Sequence, residues 1–385
     1  MEALRPGVLS THQVLELADM GLLTDHSLTA EDKNESAFDL HLSDKVYKMK
    51  GGIKGKDDSP YRSTLDRHST DSSTIPAEGM LLDKETTFVV PIREILHLDR
   101  SSRIVGVATG KSSIGRLDVL TRLIADYSNC YDQLPVLSDR RFDSRVNIAL
   151  YVEITPLTFP IRIYPNCSVN QLRLCKGDLE LSRIPIKQLD LYGPVVVGEG
   201  GGLVSMEEDL SVNLETTRIS DTHKAFAFRA ISQKEYERRE GHSDSRVIDL
   251  KYPIVKHDPV QYWTDESELD NNAFKIIPES FYIIRSLQRF KLPNDVCVYA
   301  QAMTETFGEL RIHYAGFVHP CFGRDRDGGA PLIFEIRGHN VPTLLRNAEA
   351  MARLQFYRMS AAAENKPSYG EQELTLSTYF NPWGA

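Results

Sequence analysis

The sequence predicts a mainly β protein built from two tandem copies of one module, residues 1–200 and 201–385, with a few short helices. Three observations predict it. Apolar runs bounded by turns recur along the chain, among them TTFVVPI, RIVGVAT, NIALYVEI, FPIRIY and QLRL. Runs of this length, rich in Val, Ile and Tyr, favour strands. The second half also repeats the first. TFVVPIR at 87–93 matches SFYIIRS at 280–286, and GRLDV at 115–119 matches GELRI at 308–312, both at an offset of 193. LYVEI at 150–154 matches residues 332–336, and FPIRIYPNCSVNQLRL at 159–174 matches VPTLLRNAEAMARLQF at 341–356, at an offset of 182. The two offsets differ by 11 residues, which places an insertion in the first half around PVLSDRRFDSR. A period this long means two copies of a domain rather than a solenoid. Finally, 385 residues exceed the length at which a single core keeps growing.

Taken in order, Ser10 to Gly21 reads as an opening helix. Ser10 and Gln13 form a capping box, Val14, Leu15 and Ala18 give an apolar face, and Gly21 suits the stop. Residues 51–79 are polar, rich in Gly, Ser, Asp and Lys and without an apolar period, so a long loop or mobile insertion is expected. The glycine-rich stretch GPVVVGEGGGLVSMEEDL at 193–210 marks the junction. RNAEAMARL reads as helix by propensity alone. Its repeat partner has Pro165 and Asn166 between apolar runs and reads as strand–turn–strand, so both copies are assigned as β.

A hydrophobic content of 41% with 26% charged residues fits an ordinary soluble protein. The net charge of -9 argues against non-specific nucleic-acid binding. No apolar run reaches membrane-span length, and MEALRPGVLSTHQ lacks the regions of a secretory signal. The five cysteines, Cys130, Cys167, Cys175, Cys297 and Cys321, show no CxxC spacing. They are expected to be reduced thiols in a cytoplasmic protein.

GVATGKSSIGR at 106–116 invites comparison with a phosphate-binding P-loop. That pattern needs a glycine, four residues, then Gly-Lys-Ser/Thr, and here the first glycine position holds Val105, with Gly106 one residue too close. The segments flanking the equivalent stretch of the second copy, CVYAQAM and IHYAGFV, are strand-like, whereas a P-loop opens a long helix. The remaining chemistry is a tight turn carrying Lys111, Ser112, Ser113 and Arg116, able to present N–H groups and a guanidinium to an anion. The plain alternative is a solvated basic turn. The gapless alignment sets Glu309 of the second copy opposite Arg116, which would repel phosphate.

KSSIGR followed by an apolar segment resembles the RSSLARL-type motif of dCTP deaminases, relatives of the trimeric dUTPases. LYVEI and LIFEI carry a carboxylate where that family has a strand glutamate. GFVHPCFG at 316–323 is similar to its His-Arg-Ile-Asp-Pro-Gly-Trp segment, the hairpins at 159–174 and 341–356 to its Leu-Arg-Pro-Gly…Leu pair, and KPSYGEQELTLS to its nucleotide-closing tail. The order of these motifs, repeated once, resembles the two-module bacterial dCTP deaminases. The resemblance implies two dUTPase-like distorted β-barrels or jelly rolls. It implies deamination of dCTP to dUTP and ammonia in pyrimidine deoxynucleotide metabolism. It further implies sites between modules, a homo-oligomer, no zinc, and Mg2+ carried by the triphosphate. The zinc-deaminase pattern His-x-Glu…Pro-Cys-x-x-Cys is missing, since Phe322, Gly323 and Arg324 follow Pro320-Cys321.

The resemblance assigns Ser112, Ser113 and Arg116, helped by Lys111, to the phosphates. For the base it offers Glu335 and Glu153 at equivalent positions. Glu335 is favoured, because its copy also holds His319 and the tail; the plain alternative is a strand carboxylate paired with a neighbour such as Arg337. His319 falls in the pyrimidine pocket in either register, opposite the family's histidine or its aspartate, unless it is a core histidine. His313 reads as structural. In the tail, Lys366, Tyr369 and Gln372 are expected at phosphate and base. The first copy departs from the family at Ile124-Ala125-Asp126-Tyr127, where deaminases have Ala-His-Arg. Competing readings are a dUTPase-type pyrophosphatase or bifunctional enzyme, with Asp126 activating water, and a non-catalytic nucleotide-binding module.

Overall fold

The alternation of apolar residues decides which faces are buried. In Phe88–Leu98 the side chains of Phe88, Val90, Ile92, Leu96 and Leu98 enter one apolar cluster, as the two-residue period of a strand dictates. Glu94 shares that buried face, and its carboxylate is satisfied by His41, through Nδ1 at 2.6 Å and the backbone N at 2.9 Å. The structure is a computed structural model. It describes residues 5–29, 36–138, 140–192, 195–197, 209–241, 245–303, 311–312, 316–364 and 373–384.

Strands make up 42% and helices 14%, so the protein is mainly β as expected. Two six-stranded antiparallel sheets repeat one order over five strands, and a short sixth strand, Leu23–Thr24 in the first and Val196–Val197 in the second, pairs with the third of each. The first runs Ser69–Thr74, Lys45–Met49, Phe88–Leu98, Val146–Pro156, Val119–Ala125. The second runs Trp263–Glu266, Ala227–Ala230, Phe281–Phe290, Ala330–Arg337, Arg311–Ile312. A further pair of sheets centres on Ser168–Lys176 beside Ile104–Gly110 and on Ala350–Arg358 beside Val296–Ala302. The RNAEAMARL segment is strand–turn–strand, Thr343–Arg346 followed by Ala350–Arg358, and the two strands enter different sheets instead of pairing with each other as a hairpin. Its turn holds Ala348 at φ 63, the position equivalent to Asn166 at φ 65, so both copies reverse the chain alike. Cross-strand pairing overrides helix propensity here.

The helix Thr11–Asp19 carries the expected Ser10–Gln13 capping box, and Gly21 follows at φ 70. Two expectations need correction. Residues 51–79 include the helix Arg62–His68 and the strand Ser69–Thr74, which pairs with Lys45–Met49. Tyr61 and Leu65 anchor the segment under Tyr47 and Tyr151. The strand carries no apolar period because it lies at the sheet edge with most of its side chains exposed.

The repeat register also shifts. Phe88 lies opposite Ile154 and Tyr282 opposite Ile336. The counterpart of Phe88 is therefore Tyr282, one residue beyond the Phe281 of the gapless alignment. Likewise Ile312 pairs with Ile336 as Thr121 pairs with Ile154, so Ile312 answers to Thr121 and not to Val119. TFVVPI and FYIIRS are apolar on both faces, so no alternation pins their register, while GRLDV and GELRI alternate but a shift of two preserves that pattern. The consequence is visible in the packing. Tyr282 and Ile284 enter the second half's own cluster, whereas Phe281 and Ile283 join the cluster of the first half.

The halves are thus packed on one another. Ile248–Asp249 pairs in parallel with Ile161–Ile163, and Arg183–Ile184 joins Ala350–Arg358. Val8, Cys175, Cys297, Tyr299, Phe317 and Tyr357 share one apolar cluster along the seam. Among the described residues no helix is long and apolar enough to cross a membrane.

Across the same seam Arg337 donates to Asp118, which Thr158 also contacts. Asp118 is fully buried, and burial raises its carboxyl to about 6 despite Arg337. Removing one partner of such a pair strands the other charge, so Arg337→Leu should cost about 3–5 kcal/mol in urea unfolding at pH 8. The loss should shrink at pH 5, where the stranded Asp118 takes up a proton, and in the double variant Asp118→Asn/Arg337→Leu.

Candidate active site

The turn that suggested anion chemistry is built by burial on one side. Ile114 and Leu117 are fully buried and pin a single helical turn, Ser112–Gly115, to the first half. Asp118 then takes φ 57 and turns the chain into the strand Val119–Ala125 of an antiparallel sheet. A P-loop would continue into a long helix beneath a parallel sheet, and this segment does neither.

The turn faces the strand Ala330–Arg337 of the second half. Two ion pairs cross between them. Arg116 Nε lies 3.9 Å from Glu335 Oε1, and Asp118 meets Arg337. Residues two apart on a strand share a face, so Glu335 and Arg337 present opposite charges to Arg116 and Asp118. Arg337 is therefore the partner of Asp118, and Glu335 is left to Arg116. Gly115 permits the approach, because a Cβ there would collide with Glu335 Oε2.

Arg116 and Glu335 are only 8% and 7% exposed. Burial pushes the Glu335 carboxyl up to about 8; Arg116 opposes that rise and Asp118 adds to it. The result is a carboxyl that changes protonation near neutral pH beside a fixed cation, the property required of a general base.

Both groups line a cavity of about 350 Å³ between the two halves. Lys111, Ser112 and Ser113 border it from the first half, and His319, Phe317 and Phe322 from the second. Lys111 Nζ is held by Asp39, which also accepts from Gln171 Nε2 at 3.1 Å, so part of its charge is already balanced. His319 is 1% exposed and meets the edge of the Phe317 ring at 5.0 Å between centroids.

The C-terminal segment closes the far side. Arg116 Nη1 donates to Thr375 O at 3.5 Å and Leu376 O at 3.4 Å, and Ser377 Oγ donates to Ser113 O at 2.5 Å. Glu373 anchors this segment against Arg289 at 2.6 Å, with Arg285 and Arg326 alongside.

The structure does not bring Glu153 to the cavity. Its carboxylate accepts from Tyr131 Oη at 3.0 Å and Ile53 N at 3.1 Å, beneath the 52–53 loop. Asp126 also lies elsewhere, held by the backbone N–H groups of Tyr61 at 2.7 Å and Ala149 at 3.3 Å. Lys366, Tyr369, Gln372, His313 and Glu309 lie outside the described residues. Sequence reasoning missed Gly115, Asp118, Arg173, Glu373 and Ser377. Gly115 and Asp118 stood within the quoted GRLDV match, but their use depends on a partner strand far along the chain. Among the described residues no group of three or more His, Cys, Asp or Glu is placed to hold a metal ion.

Residues 5–178 match the family model "2'-deoxycytidine 5'-triphosphate deaminase (DCD) N-terminal domain", and residues 210–380 match that of its C-terminal domain. Comparison with curated proteins yields no match. Among solved structures, the chain is similar to a 2'-deoxycytidine 5'-triphosphate deaminase from Agrobacterium tumefaciens. The TM-score is 0.77, covering 93% of this chain and 99% of that one at 23% identity, a likeness of fold. With both halves matched by the two domains of one family, in order, the chain belongs to the 2'-deoxycytidine 5'-triphosphate deaminases, hydrolases that act on C–N bonds in cyclic amidines.

Proposed function

We propose that the cavity between the halves deaminates dCTP to dUTP and ammonia, with Glu335 as the base. The observation that carries this reading is the approach of Glu335 to Arg116 inside a cavity lined by both halves. Ser112 and Ser113, with Arg116 and Lys111, form the cradle for the phosphates, and dCTP enters as its magnesium complex. His319 borders the pyrimidine pocket. Glu335 draws a proton from water as the oxygen adds to C4 of the cytosine. The two protons of that water end on N3 and on the departing amino nitrogen. Ammonia leaves with the C4–N4 electron pair, and the C4 carbonyl of uracil remains.

No protein-bound zinc is needed in this scheme, because the raised carboxyl supplies the proton transfer. The same reading takes each module, 1–200 and 201–385, as a dUTPase-like distorted barrel, in a cytoplasmic homo-oligomer. The pyrophosphatase alternative draws little support. Its candidate Asp126 is tied up by backbone N–H groups away from the cavity.

Incubation with dCTP and magnesium should release ammonia and dUTP; pyrophosphate without ammonia, or binding without turnover, would sink the proposal. Glu335→Gln should lower kcat about 10²–10⁴-fold, whereas Glu153→Gln should stay within a few-fold of wild type.

A second outcome follows from the raised Glu335 carboxyl. The base must be ionised, so kcat/KM for dCTP should climb with pH through a midpoint near pH 8 and level off above it. Arg116 favours the ionised form, so Arg116→Gln should move that midpoint upward as well as slow the reaction. A flat profile in the wild type would exclude Glu335 as the titrating base.

A further inference from the structure

Arg173 lies on the strand Ser168–Lys176, two residues after Gln171 and on the same face, at the wall of the cavity. It is 1% exposed. Its guanidinium rests on the Phe317 ring at 3.7 Å from the centroid, with Tyr299 at 5.5 Å, both from the second half. Nη2 donates to Thr109 Oγ1 at 2.8 Å and the Tyr299 hydroxyl approaches the guanidinium, while Nε and Nη1 make no well-aligned hydrogen bond.

Among the described residues no carboxylate balances the charge. The titratable groups around it are the Tyr299 hydroxyl and the Cys175 and Cys297 thiols, and burial holds all three in their neutral forms. Aromatic faces and the Thr109 and Tyr299 hydroxyls recover only part of the cost of burying a guanidinium. Every other buried arginine at the cavity or beside it has a carboxylate: Arg116 has Glu335, and Arg285 and Arg289 have Glu373. Thr109, which fixes Nη2, precedes Lys111 by two residues, so the cation stands on the phosphate-cradle side.

We propose that Arg173 is an anion-binding residue of this cavity, whose missing counter-charge is the phosphate chain of the nucleotide, and that it sets the preference for a triphosphate over a monophosphate. The assignment rests on the deaminase reading for its substrate, but not for its anion. A merely structural Arg173 would lock Phe317 and Tyr299 across the seam and affect all substrates alike.

The test compares wild type, Arg173→Met and Arg173→Lys. It measures kcat/KM on dCTP and dCMP, calorimetric affinity for inorganic tripolyphosphate, and thermal midpoint. Arg173→Met should lose about tenfold or more on dCTP and in tripolyphosphate affinity, the scale of a charge-assisted contact, with less than about twofold loss on dCMP. Arg173→Lys should fall between, since it keeps the charge but not the fork. Equal losses on both nucleotides, or unchanged tripolyphosphate affinity in a folded variant, would overturn the assignment. If the Met variant does not fold, the dCTP-to-dCMP ratio of the Lys variant decides: a drop supports the assignment and an unchanged ratio overturns it. Should wild type bind tripolyphosphate through Arg173 yet release no ammonia from dCTP, the deaminase reading fails and the anion site stands.

Discussion

Two crossed ion pairs, Arg116 with Glu335 and Asp118 with Arg337, fix how the halves of this chain meet. The two-residue period of the strand places Glu335 and Arg337 on one face, and the turn after Ser112–Gly115 sets Arg116 and Asp118 opposite them with the charges in reverse order. A shift of one residue would turn both pairs away from the seam. A shift of two would set Arg116 against Arg337, or Asp118 against Glu335. With all four groups wholly or largely buried, neither mismatch can be relieved by water. The register of the seam is therefore set by charge as well as by packing, and the cavity takes its shape from that register.

The same seam explains why equivalent glutamates differ. Glu153 and Glu335 occupy the same place in their sheets, opposite Val89 and Ile283. Yet Glu335 faces a cation from the other half, while Glu153 is covered by its own half through Tyr131 and the 52–53 loop. Burial raises both carboxyls, but with different partners. Hydrogen bonds from Tyr131 and Ile53 favour the ionised Glu153 in a closed setting; Arg116 does so for Glu335 in an open one. Position in the fold supplies a buried carboxylate twice, and the neighbouring segment decides whether a ligand can reach it.

Much of this was legible in the sequence, where local chemistry was sufficient. The Ser10–Gln13 capping box, the strand runs and the two-fold repeat needed only neighbours and periodicity. The repeat even overruled the helical look of RNAEAMARL, since Asn166 and Ala348 make the same left-handed turn. Register was not legible in TFVVPI and FYIIRS, because strands apolar on both faces carry no alternation. Ser69–Thr74 was hidden for the opposite reason, being polar on both faces at a sheet edge. At the cavity, the Ser-Ser…Arg turn and Glu335 could be found as motifs. The role of Asp118 could not, because its partner Arg337 lies 219 residues away.

Joining the halves in one chain changes what each copy must conserve. A contact between separate subunits has to be remade from dilute solution, whereas a covalent link holds its partners at an effective concentration in the millimolar range. The seam here is heterologous: one half offers the Ser112–Gly115 turn and the other the Glu335 strand. Each half is therefore free to specialise. The first can close the loop over Glu153 at no cost to the cavity, because that glutamate faces no cradle within the chain. Specialisation also explains how a cation can enter from an unexpected strand. Arg173 comes from the first half and meets Phe317 of the second, so neither copy alone contains the pairing. A site assembled across a fixed seam can recruit charge from any strand that borders it, and its chemistry need not follow either repeat.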